Sequence, residues 1–189
     1  MQSSIYKLNP KKWQLKKEDD FGDVYLSKTG IAVVVRAFRD VPQVPEEFTK
    51  KSVLEYYDKK VNPRFAFGLM KRSTGIRNVD VKLCIISNIK CFLTIYALPQ
   101  SDPGLLFLGT LTVPFKRSCI EVKCQLAETG LIGYRETVVA STHGSKVDPF
   151  SLDYDKEFPD HPLSIVRRTI YQVVKDLSIN SLKRPPFYD

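Results

Sequence analysis

The chain has 189 residues, 43% of them hydrophobic and 26% charged, with a formal charge of +8. That length suits one domain with a full core, without a metal or disulfide staple, and the composition excludes a chain disordered throughout. The charge is unevenly placed. Residues 1–17 hold Lys7, Lys11, Lys12, Lys16 and Lys17 and no acid, so the remaining 24 bases face all 21 acids, a balance of only +3. A basic field attracts nucleic acid, anionic membrane or acidic protein without choosing among them. No apolar run approaches the roughly 18 residues that span a bilayer, and the opening Met1–Pro10 lacks the apolar stretch of a signal peptide. A cytoplasmic protein is expected, with its four cysteines as thiols.

Residues 1–20 are expected to form a basic N-terminal arm, irregular or partly extended, with the sole tryptophan, Trp13, docked on the body. Residues 21–180 are expected to form a single α+β domain. Asp23–Leu26 and Ile31–Phe38 predict two strands joined by Ser27-Lys28-Thr29-Gly30, a short hairpin loop in which glycine takes positive φ. Ile31-Ala32-Val33-Val34-Val35 is apolar on both faces, as in a strand covered on both sides. After the break at Pro42 and Pro45, acids Glu46-Glu47 lead and bases Lys59-Lys60 close a segment with Phe48, Leu54, Tyr57 and Val61 on one stripe. This order complements the helix macrodipole and predicts a helix over 46–60.

From Phe65 to Ala140 the pattern predicts strands: Phe65–Lys71, Asp80–Ile86, Ile89–Leu98, Leu105–Val113, Ser118–Ala127 and Gly133–Ala140, with short turns between them. Consecutive strands so joined form an antiparallel meander. Ser118–Ala127 alternates most cleanly, with Ile120, Val122, Cys124 and Leu126 on one face and Cys119, Glu121, Lys123 and Gln125 on the other. Residues 141–159 lack periodicity. Asp160 is then expected to cap a helix with Pro162 near its start, in which Leu163, Val166, Ile170, Val173, Val174 and Leu177 recur at helical spacing. Residues 181–189, with Lys183-Arg184-Pro185-Pro186, are expected to be a tail.

In this order of elements the chain resembles the PsbP-like α/β/α sandwiches, a group that includes a photosystem II extrinsic subunit and a Ran-binding protein of nuclear transport. The features that match are the strand ending Ala32-Val33-Val34-Val35, the helix after it, the meander and the closing helix Leu163–Leu177, together spanning about residues 21–178. The resemblance implies a sheet with helices packed on it. It also implies a binding role more than a catalytic one, since members of the group mostly bind partners, although one fold hosts many roles. It carries no functional residue across.

The familiar catalytic and cofactor motifs are missing from the sequence. Neither G-x-G-x-x-G nor G-x-x-x-x-G-K-[ST] occurs, so no known phosphate-cradling loop is present. Gly109, inside an apolar strand, marks either a bulge or the close approach of a helix. The cysteines lack C-x-x-C spacing, so no zinc cluster is expected. With a two-residue turn at Ser87-Asn88, Cys84 faces Cys91 across the hairpin, two small buried thiols in a reducing setting that bridge only in an oxidising one. Cys119 is the better candidate for an exposed thiol. Of the two histidines, His143 lies in a small-residue loop and His161 at a helix start beside Asp160 and Ser164. Residues so close in sequence point in different directions, whereas a catalytic triad is gathered from distant segments. Asp153, Asp155 and Glu157 lack the glycine and bidentate glutamate of a calcium loop, and are expected to form salt bridges with nearby bases such as Arg167 and Arg168.

The expected function is therefore a non-catalytic protein-interaction module without a cofactor or metal. The profile suits a small accessory or immunity-type protein of a mobile bacterial element. Its surface would be a sheet face or the rim of loops 99–104 and 141–160, with Trp13, Lys16, Lys17, Phe115, Phe150, Tyr154, His161 and Arg167 as candidate partner-binding residues. Two alternatives are a nucleic-acid binder using the basic arm and the bases of 64–77, and an enzyme with an unfamiliar site around Asp155, His161 and Arg167.

Overall fold

The computed structural model describes residues 5–19, 22–38, 48–55, 76–101, 103–115 and 118–180. The predicted strand Phe65–Lys71, the bases Arg64, Lys71 and Arg72, and the tail 181–189 lie outside these residues. The strands are β1 (Tyr6–Leu8), β2 (Trp13–Asp19), β3 (Gly22–Ser27), β4 (Ala32–Phe38), β5 (Arg77–Ile86), β6 (Ile89–Pro99), β7 (Leu105–Pro114), β8 (Cys119–Ala127) and β9 (Leu177–Ile179). The helices are α1 (Tyr134–His143) and α2 (Pro162–Asp176), with a 3-10 turn at Leu152–Lys156 and a helical stretch over 50–55.

Seven strands form one sheet in the order β2-β3-β4-β8-β7-β6-β5, antiparallel at every pairing. The expected meander is β5 to β8, and the first hairpins join it through β4 beside β8. Ser87 and Asn88 both take positive φ, at 48° and 65°, as a two-residue turn with the twist of a hairpin requires. One face of the sheet carries Val33, Val35, Leu93, Ile95, Phe107, Leu111, Ile120 and Val122, all buried. Leu163, Val166, Ile170 and Val173 of α2 are buried in the same cluster, so the apolar stripe read from the sequence is the packed face of the helix. Phe92 alternates with Leu93 and so faces the other way. There it meets Val81 and Val53, the latter from the stretch 50–55, where Thr49 Oγ1 accepts the Ser52 N–H as a cap. Helices therefore lie on both faces of an antiparallel sheet, the α+β sandwich expected.

Gly109 resolves in favour of close approach. The registers of β7 with β6 and with β8 run through it without a shift, so it is no bulge. A Cβ built there would stand 2.8 Å from Val166 Cγ1, so α2 sits directly over the bare backbone.

Several expectations change. The basic N-terminal segment takes the extended of its two expected forms but is no separate arm, because β2 extends the sheet at its edge. A register shift between Leu15 and Lys17 leaves Lys16 at a bulge. A bulge and exposed lysines on an edge strand discourage pairing with another chain, which gives part of the terminal charge a structural role. The strand predicted over Gly133–Ala140 is helix α1. Its Thr-Val-Val run favours a strand locally, but Arg135 and Val139, four apart, are its buried residues, and tertiary contacts override propensity. The α2 cap is not Asp160 but His161, whose Nδ1 accepts the Leu163 N–H at 3.2 Å with Pro162 in the first turn. The helix ends at Asp176, and Leu177 opens β9, which pairs with β1 so that Leu8 faces Leu177. Cys119 is buried, not exposed.

Trp13 docks as expected. Its indole Nε1 donates to Asp176 Oδ2 at 3.0 Å, and Asp176 also accepts from Lys12 Nζ at 3.0 Å and Gln172 Nε2 at 2.8 Å. A carboxylate at a helix C-terminus opposes the macrodipole. Three donors offset this. Burial raises the Asp176 pKa, but the hydrogen bonds from Gln172, Lys12 and Trp13 outweigh it and hold the carboxyl below its ordinary value.

Candidate functional site

The densest polar constellation among the described residues lies where α1, the 3-10 turn and α2 meet. Arg135 of α1 is 0% exposed, and Arg167 of α2 is 2% exposed. Buried guanidinium groups are tolerated only when paired and hydrogen-bonded. Both reach Asp155 Oδ1, Arg135 through Nη2 at 3.0 Å and Arg167 through Nη1 at 2.5 Å. Arg135 also donates from Nε to Pro149 O at 2.7 Å, from Nη1 to Ser164 Oγ at 2.9 Å and from Nη2 to Ser151 O at 2.8 Å. Arg167 donates from Nη2 to Phe150 O at 2.9 Å, and its Nε stands 3.8 Å from Asp80 Oδ2, which accepts Tyr171 OH at 2.7 Å. Burial lowers the Arg135 pKa, partly countered by Asp155. The acceptors are supplied by the protein itself, three of them backbone carbonyls of 149–151. This network is a clamp that fixes the segment before α2 to both helices.

A second cluster adjoins it. Glu128, Glu136 and His161 each bring a possible ligand atom to within 4.8 Å of the others. Glu128 Oε2 accepts the Leu105 N–H at 3.0 Å, and Oε1 accepts Gly133 N–H at 3.4 Å and faces His161 Nε2 at 3.4 Å. A carboxylate pair with an imidazole suits a divalent metal in donor type. The capping bond argues against it. Nδ1 accepts the Leu163 N–H, so the ring proton sits on Nε2, the nitrogen turned toward the carboxylates. A metal bound there would need an imidazolate or a broken cap. Burial and Arg135 both lower the His161 pKa, against the pull of Glu128, which keeps the ring neutral and donating to Glu128. Burial, then Glu128, raise the pKa of Glu136, whose Oε2 is buried without a hydrogen-bond partner among the described residues.

The sequence candidates are scattered over this frame. Trp13, Phe150 and Arg167 are turned inward and do not present themselves to a partner. Phe150 packs edge-on to Phe107 at 5.8 Å between ring centres, with the Arg77 guanidinium 4.8 Å from its ring. Phe115 packs half-buried against the core, and Tyr154 lies 4.8 Å from the His143 ring. Lys16 and Lys17 are exposed on β2. Of the enzyme trio, Asp155 and Arg167 meet, while His161 turns to Glu128. Ser164 Oγ donates to Asp155 at 3.1 Å and accepts from Arg135, so the hydroxyl is tied into the clamp, on a carboxylate already neutralised by two guanidinium groups, and His161 does not reach it. Of the acidic segment, Asp155 forms the expected salt bridge with Arg167, whereas Arg168 donates to Pro159 O and Asp148 pairs with the sequence-distant Arg77 at 2.8 Å.

Sequence reasoning missed the loop between β8 and α1. Leu131, Ile132 and Tyr134 are 78%, 47% and 51% exposed. The Tyr134 ring lies 6.0 Å from that of Phe158, and Ile132 Cγ1 lies 3.5 Å from where a Cβ on Gly104 would sit. The three side chains thus form a rim with loop 99–104 and the segment before α2. A signal was available, two large apolar residues between Gly130 and Gly133, but assigning a strand from Gly133 hid it.

The fold and the clamp define an α+β protein with an antiparallel sheet between helices. No protein-family model and no curated protein matches the chain. The fold-level likeness to the PsbP group is found among solved structures. Cyanobacterial PsbP (CyanoP) from Synechocystis sp. PCC 6803 is similar at TM-score 0.43 and 11% identity, covering 93% of this chain and 86% of its own. A protein from Bacteroides thetaiotaomicron VPI-5482 is similar at TM-score 0.37 and 8% identity over 75% of this chain, which spans 42% of that protein's length. A Pseudomonas aeruginosa protein of unknown function, PA94, described as a putative regulator, is similar at TM-score 0.35 and 11% identity, covering 72% of this chain and 97% of its own.

Proposed function

We propose that this chain is a non-catalytic protein-interaction module that docks a partner protein on the rim formed by Leu131, Ile132 and Tyr134. The exposure of three large apolar side chains on one short segment carries the reading. Full burial of a large apolar side chain is worth about 1.5–3 kcal/mol, and covering the exposed part of each contributes a corresponding fraction. The segment is braced at both ends, since Glu128 accepts N–H groups from Leu105 and Gly133, and a braced loop loses little entropy on binding. Apart from Glu136 Oε2 and Arg167 Nε, the side chains named in the polar clusters beside it are turned on one another or on backbone groups, which supports binding over catalysis. An accessory or immunity-type role in a reducing cytoplasm fits such a surface. Leu131→Asp tests it: cross-linked capture of partner from host lysate is expected to fall at least tenfold with the unfolding midpoint unchanged. Capture equal to that of the unaltered protein would overturn the reading.

Nucleic-acid binding is the second reading, favoured by exposed Lys11, Lys16, Lys17 and Lys28 along β2 and the hairpin after β3. Retention on heparin that falls steeply with salt, and falls again in Lys16→Glu/Lys17→Glu, is its expected signature. No retention at low salt disposes of it.

A further inference from the structure

The β5–β6 hairpin holds a second chemistry independent of the docking rim. Cys84 faces Cys91 in register, two pairs from the turn, where Ile86 faces Ile89. Pairs alternate in an antiparallel ladder, and in a two-residue hairpin the pair flanking the turn is hydrogen-bonded, so Cys84 and Cys91 are hydrogen-bonded as well. Such pairs have Cα atoms about 5.5 Å apart, within the span a disulfide accepts. Cys91 Sγ donates its proton to Ile89 O at 3.2 Å. Cys91 is fully buried, whereas Cys84 is only partly buried, packed against the edge of the core, and is the more accessible of the two.

We propose that Cys84 and Cys91 form a reversible dithiol–disulfide site that exchanges with small-molecule disulfides of the glutathione type, with Cys84 as the attacking sulfur. The Cys84 thiolate attacks one sulfur of the oxidant, whose S–S bond breaks as a mixed disulfide forms and one thiolate leaves. Cys91 gives up its proton and attacks Cys84 Sγ, and the second small thiolate leaves. The protein dithiol loses two electrons, the oxidant gains them, and the two thiol protons pass to the released thiolates. The order follows from the environment. The neighbouring Cys91 side chain, with Lys82 nearby, holds the Cys84 pKa below its ordinary value against desolvation, while the Cys84 side chain and burial raise that of Cys91. Cys119 and Cys124 are buried, and burial pushes Cys124 up to about 12, so they serve as internal controls.

The test is incubation of the whole protein in glutathione buffers of increasing oxidised fraction, followed by intact mass and non-reducing peptide mapping. Trypsin cuts after Lys82 and Lys90, so peptides 83–90 and 91–116 are expected to travel as one species when oxidised and as two after reduction. The monomer should lose about 2 Da without losing its fold. Cys91→Ser is expected to accumulate the glutathione adduct on Cys84, and Cys84→Ser to form neither adduct nor bridge. A monomer that stays fully reduced across the series, or a bridge that involves Cys119 or Cys124 instead, would overturn the proposal.

Discussion

Asp155 is the single carboxylate at which two buried guanidinium groups converge, so Asp155→Ala probes the clamp directly. The substitution leaves Arg135 buried without its ion-pair partner and Arg167 with only Asp80 Oδ2, 3.8 Å from its Nε. Breaking a buried ion pair from one side costs about 3–5 kcal/mol. Two features favour the low end. The Asp155 side chain is 18% exposed, so water can reach the vacated position. Both arginines also keep backbone carbonyls, Pro149 and Ser151 for one and Phe150 for the other. A loss of about 3 kcal/mol is expected, a fall in Tm of about 9 °C for a chain of this size.

Urea unfolding followed by circular dichroism and by the fluorescence of buried Trp13 measures it, with the loss appearing in the midpoint at constant m. Asp155→Asn keeps the shape and one acceptor and should fall between the two proteins. Lys51→Ala is the control, since Lys51 is 87% exposed and 4.0 Å from Glu55. Its effect should stay within about 0.5 kcal/mol. If Asp155→Ala shifts stability no more than Lys51→Ala does, the buried arginines are compensated by other groups and the clamp argument fails.

Gly109→Ala should cost about 1–3 kcal/mol, because the new Cβ would stand 2.8 Å from Val166 Cγ1 under α2; a neutral result by thermal unfolding would mean that the helix rides more loosely. Glu136→Gln should stabilise by about 1 kcal/mol at pH 7, since it removes a buried charge whose Oε2 has no partner. Because the folded-state pKa of Glu136 is raised, its penalty is present above that pKa and lost as pH falls toward the ordinary value, so the two stability curves should converge at acid pH. Asp176 has the opposite sign. Its lowered pKa contributes stability present above 3.8 and lost as pH falls through the folded value, so Asp176→Asn should be less stable at pH 7 and flatter in its acid limb.

Much of the framework was legible because it rests on period and turn chemistry. Alternation in Cys119–Ala127, the Ser87-Asn88 turn and the Leu163–Leu177 stripe each express one local rule that the fold obeys. The errors lie where a distant partner decides. A Thr-Val-Val run is strand-like until Arg135 must reach carbonyls 14 and 16 residues away. Asp160 is a better intrinsic cap than His161, but His161 is held on the other side of its ring by Glu128. A basic arm looks separate from the domain until residues 13–19 pair with β3 as an edge strand. The candidate sites shared this limit. The clamp draws on Arg135, Asp155 and Arg167 from three elements, and the rim became visible only once residues 134–143 were helical.

The two proposed activities are separable because β6 lies between them. Cys91 stands near the strand's start, and Pro99 at its end pairs with Leu105, whose carbonyl accepts the Glu128 N–H at the base of the rim. Eight steps at about 3.3 Å place them roughly 26 Å apart along the strand. A disulfide that ties two residues already in register leaves that ladder in place, so oxidation has no direct route to Leu131. Cys84→Ser should therefore leave partner capture unchanged, and Leu131→Asp should leave the glutathione titration unchanged. If capture instead follows the redox buffer in the unaltered protein but not in Cys84→Ser, the β5–β6 hairpin has two arrangements that both sites sense, and independence of the two sites is wrong.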